Sequence, residues 1–402
     1  MKASQFSLLS LAMATITIVL ASPLKPSLGD CPKVALNAST NIWNSYILHQ
    51  SDSDYPQLVF QAASRIQNKI LKQKVLKVAD VGTFLNIDSP QAVTKLQRIL
   101  LEMIPCDRIV GVSLQGMGLP EQGSYSNLPE YKMPIMPEEH KRNYVDPLVS
   151  IISAHPSTAF ALIVEPFTLS AFIKPDGRKL SMAEEIYHES IPYALRSLGN
   201  LPNAILYLDA GHGGLLGWVQ TLPQAASNIS AAYKAAGSPP QFRGIAINIH
   251  NYNAWDLSPG EFATTRETRN YAQNEQTYLR LLGTRLQQLG VPNNAIMDTS
   301  RNGIHGLREE WDRWCNVYGA GLGRLPGLNI QPGQQQLDAF IWAKGPGYSD
   351  GSSESAISVY QKYCGGVDAH KPSPERGEWF QEYFETLVRE ANPPIKVSLK
   401  VA

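Results

Sequence analysis

Apolar residues recur along this chain in two alternating rhythms. Residues 54–75, 90–103, 138–154, 183–198, 223–236, 265–289 and 373–391 place apolar side chains three and four apart, as Val93, Leu96, Leu100 and Met103 do. That spacing predicts amphipathic helices. Between them lie short apolar runs at 78–84, 108–114, 160–164, 204–209, 244–249, 295–298 and 339–343, which predict buried strands. Strands alternating with helices build parallel βαβ units, so the fold class is α/β. Seven or eight such units indicate a closed, TIM-barrel-like sheet rather than an open one. In such barrels the reactive groups stand on the loops that follow the strands' C-terminal ends.

Those ends share a character. Ile205, Leu206 and Leu208 run into Asp209, and a glycine-rich turn then carries His212 and closes on Trp218. Acid, imidazole, indole and close-approach glycines are what a small polar ring needs around it. Glu165-Pro166 follows the 160–164 strand, and His250-Asn-Tyr-Asn-Ala-Trp255 follows the next apolar run. Asp298-Thr-Ser-Arg-Asn-Gly303 follows Ile296, while Lys344 and Asp350 follow Trp342. Singly, each reads as a loop cap or a solvated charge. Five strands ending alike in acid, amide, imidazole or aromatic residues read as one site.

Composition narrows the partners. Lys and Arg number 35 and Asp and Glu number 35, so the formal charge is zero. Nothing electrostatic favours a nucleic acid or an anionic membrane. A positive start, an apolar run over 8–20 and a small-residue exit predict a signal peptide at 1–21. An irregular, Pro-containing leader at 22–32 and a single domain from 33 to 402 come next, with no linker or binding module visible. The four cysteines, Cys31, Cys106, Cys315 and Cys364, then predict two disulfides with three possible connectivities. No Cys-x-x-Cys pair exists, and neither a metal nor a cofactor is expected. Asn37-Ala-Ser39 and Asn228-Ile-Ser230 are glycosylation sequons suited to a secreted, extracellular monomer.

Four segments carry a specific resemblance: Tyr207-Leu-Asp-Ala-Gly-His212, Asp298-Thr-Ser-Arg-Asn-Gly303, Trp314-Cys-Asn-Val317 and Trp342-Ala-Lys-Gly-Pro-Gly-Tyr-Ser-Asp-Gly351. They resemble glycoside hydrolase family 6, the secreted cellobiohydrolases and endoglucanases that cleave β-1,4-glucan with inversion. The likeness runs from about Trp43 to Pro394. It implies a distorted, seven-stranded parallel (β/α) barrel and a β-1,4-glucan or cello-oligosaccharide partner. Asp350 matches the family's proposed base, and Asp209 matches a carboxylate beside the reacting sugar. Trp43, His212, Asn251, Trp314 and Lys344 match sugar-contacting positions. Leu215 stands where the family has a stacking Trp, and Tyr348 where it has a sugar-binding Glu. A family disulfide follows the Trp-Cys-Asn motif, which implies Cys315 with Cys364. This leaves Cys31 for Cys106, a pairing the family pattern does not match.

The resemblance also marks a loss. The family acid is the Asp of a Glu-Pro-Asp-Ser-Leu motif, and this chain reads Glu165-Pro166-Phe167-Thr168-Leu169. The family's second aspartate, which tunes that acid, falls at Gly118 within a loop emptied of carboxylates. Inverting hydrolysis needs a proton donor facing a water-activating carboxylate. A phenyl ring cannot donate. The expectation is a secreted cellulase-like protein whose glucan groove persists while hydrolysis is lost or strongly impaired. One alternative is an active inverting glucanase with a relocated acid, for which Glu165 or Glu121 is a candidate. The other is an interaction protein without sugar affinity.

Overall fold

The computed structural model describes residues 31–102, 104–117, 135–173, 181–257, 270–309, 313–328, 335–351 and 363–397. The expected signal peptide, nearly all of the leader, Gly118 and Glu121 lie outside the described residues. One curled parallel sheet organises the rest. Its strands are β1 (Ile47–Leu48), β2 (Leu85–Ile87), β3 (Arg108–Leu114), β4 (Ala159–Val164), β5 (Ala204–Asp209), β6 (Phe242–Ile247), β7 (Asn294–Asp298) and β8 (Leu337–Ile341). The order is β1-β3-β4-β5-β6-β7-β8, and β2 also pairs with β3. β1 pairs with Arg108 and Ile109, and β2 with Val112 to Leu114, so the two share one edge of β3. The sheet therefore has seven strand positions curled into a distorted half-barrel. At its seam the Phe84 N–H donates to the Trp342 carbonyl at 3.1 Å.

Strand composition reflects burial on both faces. In β4 every residue is buried. Phe160, Leu162 and Val164 pack outward, whereas Ala159, Ala161 and Ile163 face the barrel interior. A continuous apolar run, rather than alternation, is what a sheet covered on both sides requires. The helices are α1 (Tyr55–Arg65), α2 (Lys69–Val78), α3 (Pro90–Leu100), α4 (Pro137–His140), α5 (Asp146–Ala154), α6 (Thr168–Phe172), α7 (Ser181–Leu198), α8 (Gly213–Leu216), α9 (Thr221–Ala235), α10 (Glu275–Gln288) and α11 (Gln381–Arg389). α1, α2 and α11 close the seam around Trp342.

Several elements differ from the sequence expectation for identifiable reasons. The helix expected at 54–75 is two helices, because Asn68 caps a fresh start by accepting the Ile70 and Leu71 N–H groups. α2 then runs to Val78, which pushes the next strand from 78–84 to Leu85–Ile87. The helix expected at 138–154 contains a π turn at Lys141–Val145. Pro147, having no N–H, cannot return a bond to residue 143 there. At the other end of the chain, α11 begins at Gln381 because Trp379 is taken by a bridge to Tyr348. β1, only two residues long, carries no periodicity to read.

A buried polar cluster fills the barrel interior. The Trp43 indole N–H donates to the Tyr207 hydroxyl at 3.2 Å, and that hydroxyl donates to Asp338 at 2.8 Å. Arg243 clasps Asp338 with two bonds of 2.6 Å each and gives a third to the Ala38 carbonyl. Trp43 itself precedes β1, is 6% exposed and packs among the interior side chains, with its indole N–H engaged by Tyr207. Cys31 is bonded to Cys106 and Cys315 to Cys364, with Cα separations of 5.6 and 4.9 Å. Removing one member of a buried ion pair strands the other. Asp338→Ala is therefore expected to destabilise the fold by about 3–5 kcal/mol, measured by urea unfolding against the parent.

Candidate active site

The mouth of the barrel is marked by its backbone. Glu165, Phe167, Asn248, His250 and Asn316 all have positive φ, from 40° to 71°. Non-glycine residues seldom adopt that region, and it costs each about 1–2 kcal/mol. Strain of this kind persists where surrounding bonds over-determine the geometry, which is common at functional sites. Four of the five lie just past β4 and β6, where the sequence placed its polar residues.

Asp350 anchors one wall. Arg301 Nη1 donates to it at 2.6 Å, the Asn316 N–H at 3.0 Å and the Tyr252 hydroxyl at 3.3 Å. Lys344 Nζ stands 3.6 Å from its other oxygen. Burial alone would raise this carboxyl. The Arg301 and Lys344 charges, with the Arg301 and Asn316 bonds, outweigh burial and hold Asp350 at about 2. Trp314 precedes the Cys315–Cys364 bond and lies 5.5 Å from the Tyr363 ring.

Asp209 stands on the other wall, with no cation beside it among the described residues. It is 1% exposed. One oxygen accepts the N–H groups of Phe167 and Gly211, each at 3.1 Å, and the other has no partner among the described residues. Gly211 reaches that bond with φ of 60°, a conformation glycine adopts without cost. Burial dominates, and Glu165 adds a like charge, so Asp209 is raised to about 7 despite its two backbone donors. Between the walls, the Phe167 and His250 rings lie 5.6 Å apart. His250 is held neutral by burial and by the Lys344 and Arg301 charges.

Glu165 is committed elsewhere. It accepts the Gly116 and Met117 N–H groups at 2.9 and 3.1 Å and lies 2.7 Å from His140 Nε2. On an extended strand it would share a side with Phe167. The positive φ at both residues breaks that alternation and turns it toward α4. Glu165 thus clamps the β3 loop and is spent as a substitute acid.

A second network flanks the first. Asn253 Nδ2 bonds to His212 Nδ1 at 2.9 Å and to Glu275 at 2.8 Å. An amide nitrogen only donates, so His212 Nδ1 accepts and the imidazole proton sits on Nε2. Burial and the Arg308 charge depress His212 to about 3 and keep it neutral. Arg308 also donates to the side chains of Asn251 and Asn253, at 3.1 and 2.7 Å.

The structure therefore gathers Asp350, Lys344, Asn251, His212, Trp314, Asp209 and Phe167 at the strand ends and leaves Trp43 apart. Leu215, in α8, is packed in the outer layer. The Tyr348 hydroxyl donates to Asp52 at 2.7 Å, bridging the seam. Arg301, His250 and Asn253 lie within the sequence motifs without a role assigned by them, and Arg308 lies outside them. A buried carboxylate among strand-end motifs needs a cation, and the Arg of Asp298-Thr-Ser-Arg was the available signal.

The sequence profile of glycosyl hydrolases family 6 matches residues 45–391. This chain belongs to that family. It is 43% identical over 375 residues to a 1,4-β-D-glucan cellobiohydrolase, CEL6C, of Podospora anserina, covering 93% of each chain. It is 34% identical to an exoglucanase 3 of Agaricus bisporus, covering 85% of this chain and 77% of that one. Among solved structures, Humicola insolens cellobiohydrolase II with glucose and cellotetraose superposes with a TM-score of 0.77 at 30% identity. That match covers 88% of this chain and 100% of the other. The catalytic domain of CcCel6A, bound to p-nitrophenyl β-D-cellotrioside, gives 0.79 at 33% identity over 89% and 99%.

The raised carboxyl of Asp209 has a consequence for this family 6 member's stability. A group whose folded pKa lies above its unfolded value near 4 contributes stability at low pH. For Asp209 that contribution is lost as pH rises through about 7. His212, depressed to about 3, works in the opposite sense below its ordinary range. Asp209→Asn should gain stability relative to the parent between pH 4 and 8, by a few degrees in Tm on the order expected per kcal/mol. Paired calorimetric melts across that range check it.

Proposed function

We propose that this chain binds a β-1,4-glucan across the barrel mouth and hydrolyses it with inversion, outside the cell. The Asp350 cluster carries the reading: a carboxylate kept ionised by Arg301 and Lys344 among aromatic and amide side chains. Cellotetraose and a cellotrioside in solved relatives support a cello-oligosaccharide as occupant. Two disulfides support export. A carboxyl at about 2 is a weak proton acceptor, yet it stays charged through the acid range. Its work is to face the cationic sugar of the transition state and orient the attacking water, whose proton it takes late. His212 presents Nε2–H to a sugar hydroxyl, and Trp314 offers an apolar face to a ring.

Hydrolysis of soluble barley β-glucan should release reducing ends, with the α-anomer forming first by NMR. Asp350→Asn should lower that rate about 100-fold or more. No turnover by the parent over a prolonged incubation sinks the reading.

One observation favours a second reading. By the motif resemblance the buried Phe167 stands at the family acid's position, and on that reading hydrolysis is strongly impaired and the groove serves to hold glucan. Calorimetric binding of cellotetraose without reducing-end release would select it. In that case Phe167→Asp alone should restore little, and Phe167→Asp with Gly118→Asp more than the two singly, because neighbouring carboxyls couple. Additive rates would remove both positions from the acid side.

A further inference from the structure

We infer that Asp209 gives the departing sugar its proton, from beneath the Phe167 backbone. The inference rests on the glucanase reading. Phe167 lacks a proton, Glu165 is bonded to Gly116, Met117 and His140, and His250 is held neutral. Asp209 is the carboxyl nearest to that gap in bonding terms, since it accepts the amide of residue 167 itself. By strand alternation it falls on the inward-facing row of β5 with Ile205 and Tyr207, at the strand's C-terminal end. Both backbone donors go to one oxygen, and the second oxygen is buried without a described partner. An ionised carboxylate would need a donor at that oxygen, and none of the described residues supplies one.

The groups around it agree. Glu165, one residue past the strand paired with β5, raises its proton affinity. Tyr187 on α7 and Tyr278 on α10 feel the Asp209 charge, and both remain protonated across the working range. No described cation faces it closely enough to hold it ionised, in contrast with Asp350. At pH 5 Asp209 is therefore a neutral acid and Asp350 an anion, the two states that acid and water-activating roles require.

The step balances. The bond from C1 to the glycosidic oxygen breaks as the Asp209 proton moves to that oxygen, directly or through one water, leaving a free sugar hydroxyl. Water adds to C1 and gives up its own proton on the Asp350 side, and Asp209 regains a proton from solvent.

The test compares two leaving groups. On barley β-glucan, whose sugar leaving group needs a proton, Asp209→Asn should lower kcat by about 10²–10⁴-fold. On 2,4-dinitrophenyl β-cellotrioside, whose phenolate leaves unaided, the loss should stay under roughly tenfold, since the acid's share of catalysis is bypassed. The alkaline fall of the parent's kcat/KM near pH 7 should vanish from the variant's aryl hydrolysis. Equal losses on both substrates would assign Asp209 a structural role and overturn the inference. So would an unchanged β-glucan rate, which places the donor elsewhere in the chain. If Asp209→Asn fails to fold, Asp209→Glu keeps the acid and moves it by one methylene. It should show the same split between substrates, and an equal loss on both would again overturn the inference. A parent inactive on β-glucan but active on the aryl glycoside removes both the inference and the glucanase reading. A parent active on both with Asp209→Asn unaffected removes the inference alone.

Discussion

Desolvation acts alike on Asp209 and Asp350, and only one of them is given a counter-charge. That asymmetry organises the mouth. Arg301 and Lys344 lie on the loops after β7 and β8, so the positive charge is concentrated where Asp350 ends its own strand loop. The described residues that follow β4 and β5 bring no cation. Two carboxyls of the same chemical type are thereby driven to opposite protonation states, about 2 and about 7. Pairs whose surroundings push their proton affinities apart are the usual basis for dividing acid and base work.

The scaffold that holds this asymmetry is strained at its rim and over-built below it. Left-handed residues at the ends of β4 and β6 each cost energy locally. Compensation comes from fixed bonds: Glu165 on the β3 loop, Asp298 accepting the His250 and Ser300 N–H groups, and Asn248 on the Asp298 carbonyl. Deeper in the barrel, the Trp43, Tyr207, Asp338 and Arg243 cluster ties the β5, β6 and β8 interiors together. Rim geometry is thus set by backbone–carboxylate bonds rather than by packing. Such bonds place a side chain within a narrower range than apolar contacts do.

Much of this was legible in the sequence because burial on both faces writes itself as continuous apolar runs. β3, β5 and β7 fall within a residue of where those runs predict them. The polar residues clustered just past the strand ends were legible too. Three things were not. The edge strands β1 and β2 are too short to show a period. The left-handed turns at Glu165 and Phe167 reverse the side that alternation assigns, and no residue type there announces it. Trp43 was read by resemblance alone. Its position ahead of β1, on the far side of the strand from the mouth, depends on where a two-residue strand begins, and the family match itself starts only at residue 45.

The phenyl group at 167 bears on both readings of the function, and the physics favours one. A benzyl side chain removes a proton donor from its own position. The backbone N–H of Phe167 reaches Asp209, a carboxyl that burial already raises. An aspartate at 167 would instead place a second negative charge beside Asp209, and two adjacent carboxyls share one proton. With Phe167 in place the proton belongs to Asp209 alone. Phe167 at this position is therefore compatible with the acid inferred for Asp209 one strand away, across the mouth from the ionised Asp350.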